Sequence, residues 1–247
     1  MKTTVLLSHA RHPVSDRPQL SRLEAQAIAL AAEVDEAPSG LHAGRNETGV
    51  VAALGHGLTA LDRLDLADTT DPLSALAAFL TRQRFDLILA GRRGEGGHET
   101  GLLPYRLAAI LGLPILADAV AITPGAAVET LVVDQAMAKG ARRRVTIRLP
   151  AIVTVHPLAP PPRPFAYGPM RRGTIRRHPV DGSANAADLD TAEERPHRLR
   201  PKLMRQSAGQ AAGANLYVDP TPEEAARLIL AYLEANGIRR YGPLNDR

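Results

Sequence analysis

Between Gly91 and Gly101 the chain reads GRRGEGGHETG, five glycines in eleven residues. At that density backbone N–H groups can come close to an anion, and a helix N-terminus just downstream adds a favourable dipole. Cradling a phosphate is the chemistry these residue types support. The same residues would also serve as a plain flexible connection from a strand to a helix. No Lys-Ser or Lys-Thr follows the last glycine, and the short spacing of a dinucleotide fingerprint is missing, so phosphoryl transfer has no support. The eight histidines, at 9, 12, 42, 56, 98, 156, 178 and 197, form no metal-ligand pairing of the His-Glu-x-x-His kind. His9, His12 and His98 could line a pocket, although surface and loop positions are the commoner fate of such residues. No serine sits in a nucleophile elbow. The absence of cysteine excludes disulfides, thiolate metal sites and iron–sulfur ligation from this chain. Any redox chemistry must then come from a bound organic cofactor.

Something has to position that loop. RFDLILAG, residues 84–91, has the continuous apolar centre of a strand covered on both faces, and the loop follows its carboxyl end. A β-branched, apolar run at Thr3–Ser8 reads as a second buried strand. Ser21-Arg22-Leu23-Glu24 has the capping-box pattern and predicts a helix over 22–36. Leu41–Gly44 reads as a weak strand, a helix is expected around Thr48–Leu54, and Leu58–Leu66 is ambiguous. Asp71-Pro72 provides an N-cap and a proline at the first position of a helix running through Leu80. Strand and helix thus alternate through the first half. The fold expected is α/β: a doubly wound, mostly parallel sheet of the Rossmann-like, adenine-nucleotide-binding type, with ligands at the carboxyl ends of the strands. An amphipathic helix through Leu111 follows the glycine-rich loop. Strand candidates come next at 115–122, 129–136 and 142–149, with a turn at Lys139-Gly140, and then a buried strand at 151–156.

At Pro157 the composition changes to proline and arginine. Residues 161–205 carry ten Arg or Lys against five acidic residues and too little apolar material for a core of their own. An arm lying on another surface, or a partly disordered linker, is expected. Thr221-Pro222-Glu223-Glu224 is a second capping box, opening a terminal helix that ends near Gly237 and needs something to dock on. Residues 1–160 are therefore expected as an α/β core and 161–247 as an arm with a terminal helix. The chain has 247 residues, 45% of them hydrophobic, and a net charge of +4. Its N-terminal apolar run is too short for a signal peptide or a membrane span, so a cytoplasmic location without membrane insertion is expected. The basic arm has only Phe165 and Tyr167 as interleaved aromatics and no nucleic-acid-binding motif. A solvated or partner-facing arm is the better reading than nucleic-acid binding.

The order of these pieces resembles the beta subunit of electron transfer flavoproteins across most of the chain. The likeness is carried by RFDLILAG with a glycine-rich loop ending in ETG, and by LGLPILADAV, ETLVV and RRRVTIRLPAIVTVH with its Leu149-Pro150-Ala151 junction. PPPRPFAYGPMRR is similar to the family's recognition loop, and Gln206-Ser207-Ala208-Gly209 to the segment after which the chain reaches over an alpha subunit.

The resemblance implies a heterodimer with an electron transfer flavoprotein alpha subunit, which holds most of the FAD. Electrons would pass from a flavin-dependent dehydrogenase to a downstream acceptor, with no independent catalysis by this chain. AMP is a possible second ligand. Carried over by position, the cofactor-binding residues would be Ser8; Ser21, Arg22, Leu23 and Glu24; Ala43 and Gly44; and Gly91, Arg92, Arg93, Gly94, Gly96, Gly97, His98, Thr100 and Gly101. Leu23 would reach toward the flavin. Phe165, Tyr167, Gly168, Met170 and Arg171 would face the dehydrogenase. Where the family has Asn-Pro-Phe-Asp/Glu this chain has Ser21-Arg22-Leu23-Glu24, and its glycine-rich loop is shorter and lacks aspartates. Retention of AMP is thereby left open, and a second FAD at that place is disfavoured. The alternative reading is a free-standing adenine-nucleotide-binding regulator.

Overall fold

The computed structural model describes residues 1–12, 14–67, 70–94, 100–180, 217 and 219–237. Two compact units divide the chain, Met1–Ala192 and Glu193–Arg247.

The first unit is built on one nine-stranded sheet. Its strands are β1 (Thr3–Leu7), β4 (Ser39–Ala43), β5 (Ala60–Asp65), β6 (Leu87–Gly91), β7 (Ile115–Pro124), β8 (Thr130–Ala136), β9 (Arg142–Arg148), β10 (Ala151–Val155) and β11 (Thr174–Pro179). A small antiparallel ladder, β2 (Ala10–Arg11) with β3 (Pro18–Gln19), stands apart. The helices are α1 (Arg22–Ala31), α2 (Ala52–Gly55), α3 (Leu73–Gln83), α4 (Leu103–Leu111) and α5 (Tyr167–Arg172). Strand order is β11-β5-β4-β1-β6-β10-β7-β8-β9. Every pairing from β11 to β7 is parallel, and the meander β7-β8-β9 is antiparallel. The expected doubly wound, mostly parallel α/β sheet is what forms.

The period of two along each central strand explains the layering. Val5, Leu7, Leu87, Leu89, Val153 and Val155 point to one face and pack with Ile28 and Leu30 of α1 and with Ala53 and Leu54 of α2. Their neighbours Leu6, Ile88, Ala90 and Ile152 point to the other, against Leu76, Phe79 and Leu80 of α3 and Leu107 of α4. Successive side chains of a strand face opposite ways, so strands apolar throughout must be covered on both sides. Burying a Leu- or Ile-sized side chain contributes roughly 1.5–3 kcal/mol, which makes these alternating rows the principal source of stability.

Element boundaries shift for identifiable reasons. α1 ends at Ala31, not near residue 36, because Glu33 and Val34 bond back only three residues, to Leu30 and Ala31. Asp35 is then turned to accept the N–H of Thr3 at 2.7 Å and of Ala37 at 3.0 Å. The helix expected near Thr48–Leu54 is reduced to α2, since Gly49 has φ +89, outside helical geometry. The ambiguous 58–66 run is β5. Asp71 accepts the Leu73 N–H at 3.0 Å, with Pro72 rather than Asp71 in the N-cap position. The Lys139-Gly140 turn forms, both residues at positive φ. Residues 161–180, expected as the start of the arm, run within the first unit and add α5 and β11 to it.

In the second unit the described element is α6 (Pro222–Ala235). Its capping box is realised: Glu224 N–H donates to Thr221 Oγ1 at 3.4 Å and Thr221 N–H to Glu224 Oε2 at 3.1 Å. Ile229, Leu230 and Tyr232 are exposed on it. Among the described residues no helix is long and apolar enough to cross a membrane.

Candidate functional site

The chain leaves β1 toward β4 and β5 on one side, and later places β6 and β10 on the other. The reversal falls between β1 and β6, and a doubly wound sheet opens a crevice beyond the strand ends at such a point. A cleft of about 640 Å³ lies there, inside the range of small-molecule sites. The ends of β1 (Ser8, His9), β4 (Ala43, Gly44) and β6 (Gly91) contribute to it, as do Arg93, Gly94, Thr100 and Gly101 of the glycine-rich loop. Nine residues assigned to a cofactor from the sequence, Ser8, Glu24, Ala43, Gly44, Gly91, Arg93, Gly94, Thr100 and Gly101, thus share one cavity. Gly96, Gly97 and His98 lie outside the described residues.

Two of the nine are committed to each other. The carboxylate of Glu24, only 3% exposed, accepts from the Ser8 backbone N–H at 2.9 Å and from its hydroxyl at 2.5 Å. The Ser21–Glu24 capping box does not form. Ser21 occupies the N-cap position, but its buried hydroxyl has no partner among the described residues, and Glu24 turns toward β1. Ser21 is fully buried and is not among the residues lining the cleft. Gly101, at φ +70, brings the two ends of the glycine-rich loop together: a Cβ there would stand 3.0 Å from the Arg92 carbonyl oxygen. Gly91 packs as closely, its missing Cβ at 3.1 Å from the Arg93 carbonyl oxygen and 3.2 Å from Leu23 Cβ.

His42 forms a wall of the cleft. Its Nδ1 lies 3.0 Å from the Leu7 carbonyl and its Nε2 3.1 Å from that of Asn46. Only a doubly protonated ring could donate to both carbonyls, and these contacts pull its pKa up. Burial outweighs them, and nearby His9 and Arg63 add to the downward pull, so the ring titrates below its ordinary 6.5. Asn46 Nδ2 is 3.2 Å from His9 Nε2, and His9 Nδ1 is 2.9 Å from the Thr48 carbonyl, which holds the 44–48 loop as the rim. Across the cleft Arg106 of α4 pairs with Asp71 at 3.2 Å.

His9 meets its expectation as a pocket residue, whereas His12 is used locally, accepting from Val14 and Ser15. Sequence reading missed His42, Asn46, Leu66, Asp71, Leu76 and Arg106 as lining residues. The usable signal was positional, since each follows or ends a strand, or opens the helix after it, on the ligand side of a doubly wound sheet.

Arg22, Leu23, Arg92 and Arg93 line a second, neighbouring hollow of about 550 Å³ with Gln26 and Pro157. Gln26 is buried and donates to the Ala159 carbonyl at 2.6 Å, which fixes the chain as it leaves β10. The three guanidinium groups make this hollow cationic, offset on one side by Asp118, 3.5 Å from Arg92.

The residues assigned to a protein partner separate into two kinds. Tyr167 at the first turn of α5 is 64% exposed, and Arg171 is exposed beside it. Met170 is half-buried and packs against the core. Phe165 lies on Gly55, where a Cβ would be 2.4 Å from its ring, and meets His56 edge-on with centroids 5.6 Å apart. Gly168 is half-buried, its Cβ position 3.2 Å from an Arg172 guanidinium nitrogen.

The electron transfer flavoprotein domain model matches residues 14–183, most of the first unit. The electron transfer flavoprotein subunit beta of Chromohalobacter salexigens is 35% identical over 260 aligned positions, which cover 97% of this chain and 96% of that protein. A doubly wound sheet open at its switch point, a domain match across it and a full-length relative agree: the chain belongs to the electron transfer flavoprotein family, on the side of its beta subunits.

Proposed function

We propose that this chain is the beta half of a heterodimeric electron carrier. An alpha-type partner supplies most of the FAD site. A primary flavin-dependent dehydrogenase delivers electrons, and a downstream acceptor receives them. The observation that carries the reading is the full-length similarity to a beta subunit together with a fold that leaves two distinct recesses at the strand ends.

The residues fit a shared flavin better than an enclosed one. The hollow of Leu23, Pro157, Arg22, Arg92 and Arg93 offers an apolar floor under three cations, open enough to close over a group held from the other side. When bound, FAD supplies the redox chemistry, and the protein supplies orientation and electrostatics. Leu23 excludes water from that face, and the guanidinium groups favour negative charge beside it.

The main cleft suits an adenine nucleotide. Gly44, Gly91 and Gly101 place backbone on its lining, while Arg93 and Arg106 bring positive charge that suits a phosphate. Ser8, with both donors on Glu24, shapes the wall rather than donating to the ligand. AMP is the ligand we assign there. Tyr167 and Arg171 form the exposed surface that meets the dehydrogenase, with no bond chemistry performed by this chain.

Co-expression with the alpha-type subunit of the same genome tests the proposal, by visible absorption and by the nucleotides released on denaturation. A yellow heterodimer with about one FAD is the expected product. A stable, colourless chain that ignores the partner would overturn the proposal in favour of a free-standing nucleotide-binding regulator.

A further inference from the structure

β11 is an edge strand with little to bury. None of its side chains is fully buried, and Ile175 alone contributes apolar contact to the core. Charged side chains reinforce its parallel ladder with β5. Asp62 of β5 has a side chain 5% exposed, and Arg176, its register partner, grips it with a fork: Nε to Oδ1 and Nη2 to Oδ2, both at 2.8 Å. His178 Nε2 reaches the same Oδ1 at 2.7 Å, and its ring lies edge-on to Phe79, centroids 4.9 Å apart. Between these two, Arg177 points to the opposite face and donates to Glu47 at 2.8 Å, which also takes Arg63 at 2.9 Å. The strand is thus clamped from both faces of the sheet.

Such a clamp specifies register. A slip of one residue would turn Arg176 and His178 away from Asp62 and leave a buried carboxylate without its guanidinium and its imidazole donor, a heavy cost in a site of low dielectric. The chain just ahead is fixed at its other end, where Ala166 N–H donates to the Gly55 carbonyl at 2.8 Å and His56 Nδ1 lies 2.8 Å from the Arg163 carbonyl. α5 and Tyr167 lie between these two anchorages, with Met170 resting on the core beneath them. At the join, Gly173 stands against Leu54, where a Cβ would come within 2.7 Å.

The geometry points to Asp62 as a positioning residue for partner docking: gripping Arg176 and His178, it sets the register of β11 and so the place at which α5 presents Tyr167. Asp62, 4% exposed, acts through Arg176 and His178. The inference rests on the proposed meeting of the Tyr167 surface with a dehydrogenase.

The test uses the heterodimer carrying Asp62→Asn, which keeps the shape and removes the charge. Arg176→Gln, altered at a largely exposed side chain, is the second variant if the first folds poorly. Hydrogen exchange of the 174–178 amides should rise about tenfold or more in both, with β1 amides unmoved, because a charge-assisted fork is lost at an edge. Flavin content should stay at the wild-type level. With the cognate dehydrogenase, KM for the heterodimer should rise roughly tenfold with kcat within about twofold, as for a loss of uniform binding. Arg176→Lys, which keeps charge but not the fork, should fall between. Unchanged exchange at 174–178, or raised exchange with unmoved KM, would overturn the proposal. A wild-type heterodimer without flavin would instead sink the reading on which it rests, and the wild-type control shows which has failed.

Discussion

Glu24 on the first turn of α1 takes both donors of Ser8, the backbone N–H at 2.9 Å and the hydroxyl at 2.5 Å, and so ties the carboxyl end of the central strand to the start of the helix behind it. The contact is part-buried, where an orphaned donor is expensive. Glu24→Ala should destabilise the protein by about 1–3 kcal/mol, read as a lower urea midpoint with unchanged slope. Glu24→Gln keeps one acceptor oxygen and should lose distinctly less. Equal midpoints for wild type and Glu24→Ala would show that the pair adds nothing to stability.

His42 gives the fold a pH dependence whose sign follows from burial. The folded ring titrates below 6.5, so at pH values under 6.5 the unfolded chain binds the proton more readily than the folded one. The stabilisation is complete above pH 6.5 and is lost as pH falls from there toward the folded pKa, by at most about 1.4 kcal/mol per pH unit. Urea midpoints across that window should fall more steeply for wild type than for His42→Asn. Parallel slopes would mean that the ring does not resist protonation.

Much of this was legible. The strands at 3–7, 87–91 and 151–155 are apolar on both faces apart from Thr3, Thr4 and Thr154, and the structure that satisfies both faces is a doubly covered sheet. β11 was not legible. Thr174-Ile175-Arg176-Arg177-His178-Pro179 reads as a solvated basic tract until Asp62 and Glu47 stand beside it, and topology alone brings them there. The same blindness made β5 ambiguous, because Asp62 and Arg63 break its apolar run and are satisfied by partners on β11 and in the 44–48 loop. The Ser21–Glu24 pattern misled for the converse reason: its glutamate was recruited by Ser8. The cleft is assembled from four separate strand-to-helix connections, and only the glycine-rich one has the local signature of a ligand loop.

Tyr167 and Phe165 sit two residues apart and should behave differently. Phe165 rests on Gly55 and His56, while Tyr167 projects from α5 with most of its ring in solvent. Tyr167→Ala should cost about 2 kcal/mol of docking, roughly thirtyfold in KM with the dehydrogenase, and leave both melting temperature and flavin content alone. Phe165→Ala should lower the melting temperature as well. If Tyr167→Ala releases flavin, the residue serves the cofactor and its assignment to the partner surface fails.

Arg106 and Arg93 make the sharpest test of the cleft, because they approach it from different elements. Arg93 follows β6 in the glycine-rich loop, and Arg106 projects from α4 and is held by Asp71. A charged hydrogen bond to a phosphate contributes roughly 1.5–3 kcal/mol, so each Arg→Gln change should weaken AMP binding by about ten- to a hundredfold in calorimetry. Asp71→Asn frees the Arg106 guanidinium from its competing carboxylate and should leave binding unchanged or tighten it. Adenosine in place of AMP should bind wild type and the two arginine variants alike, since the charge these side chains meet is then missing. Arginine changes that weaken adenosine as much as AMP would place their effect on the shape of the cleft rather than on the phosphate.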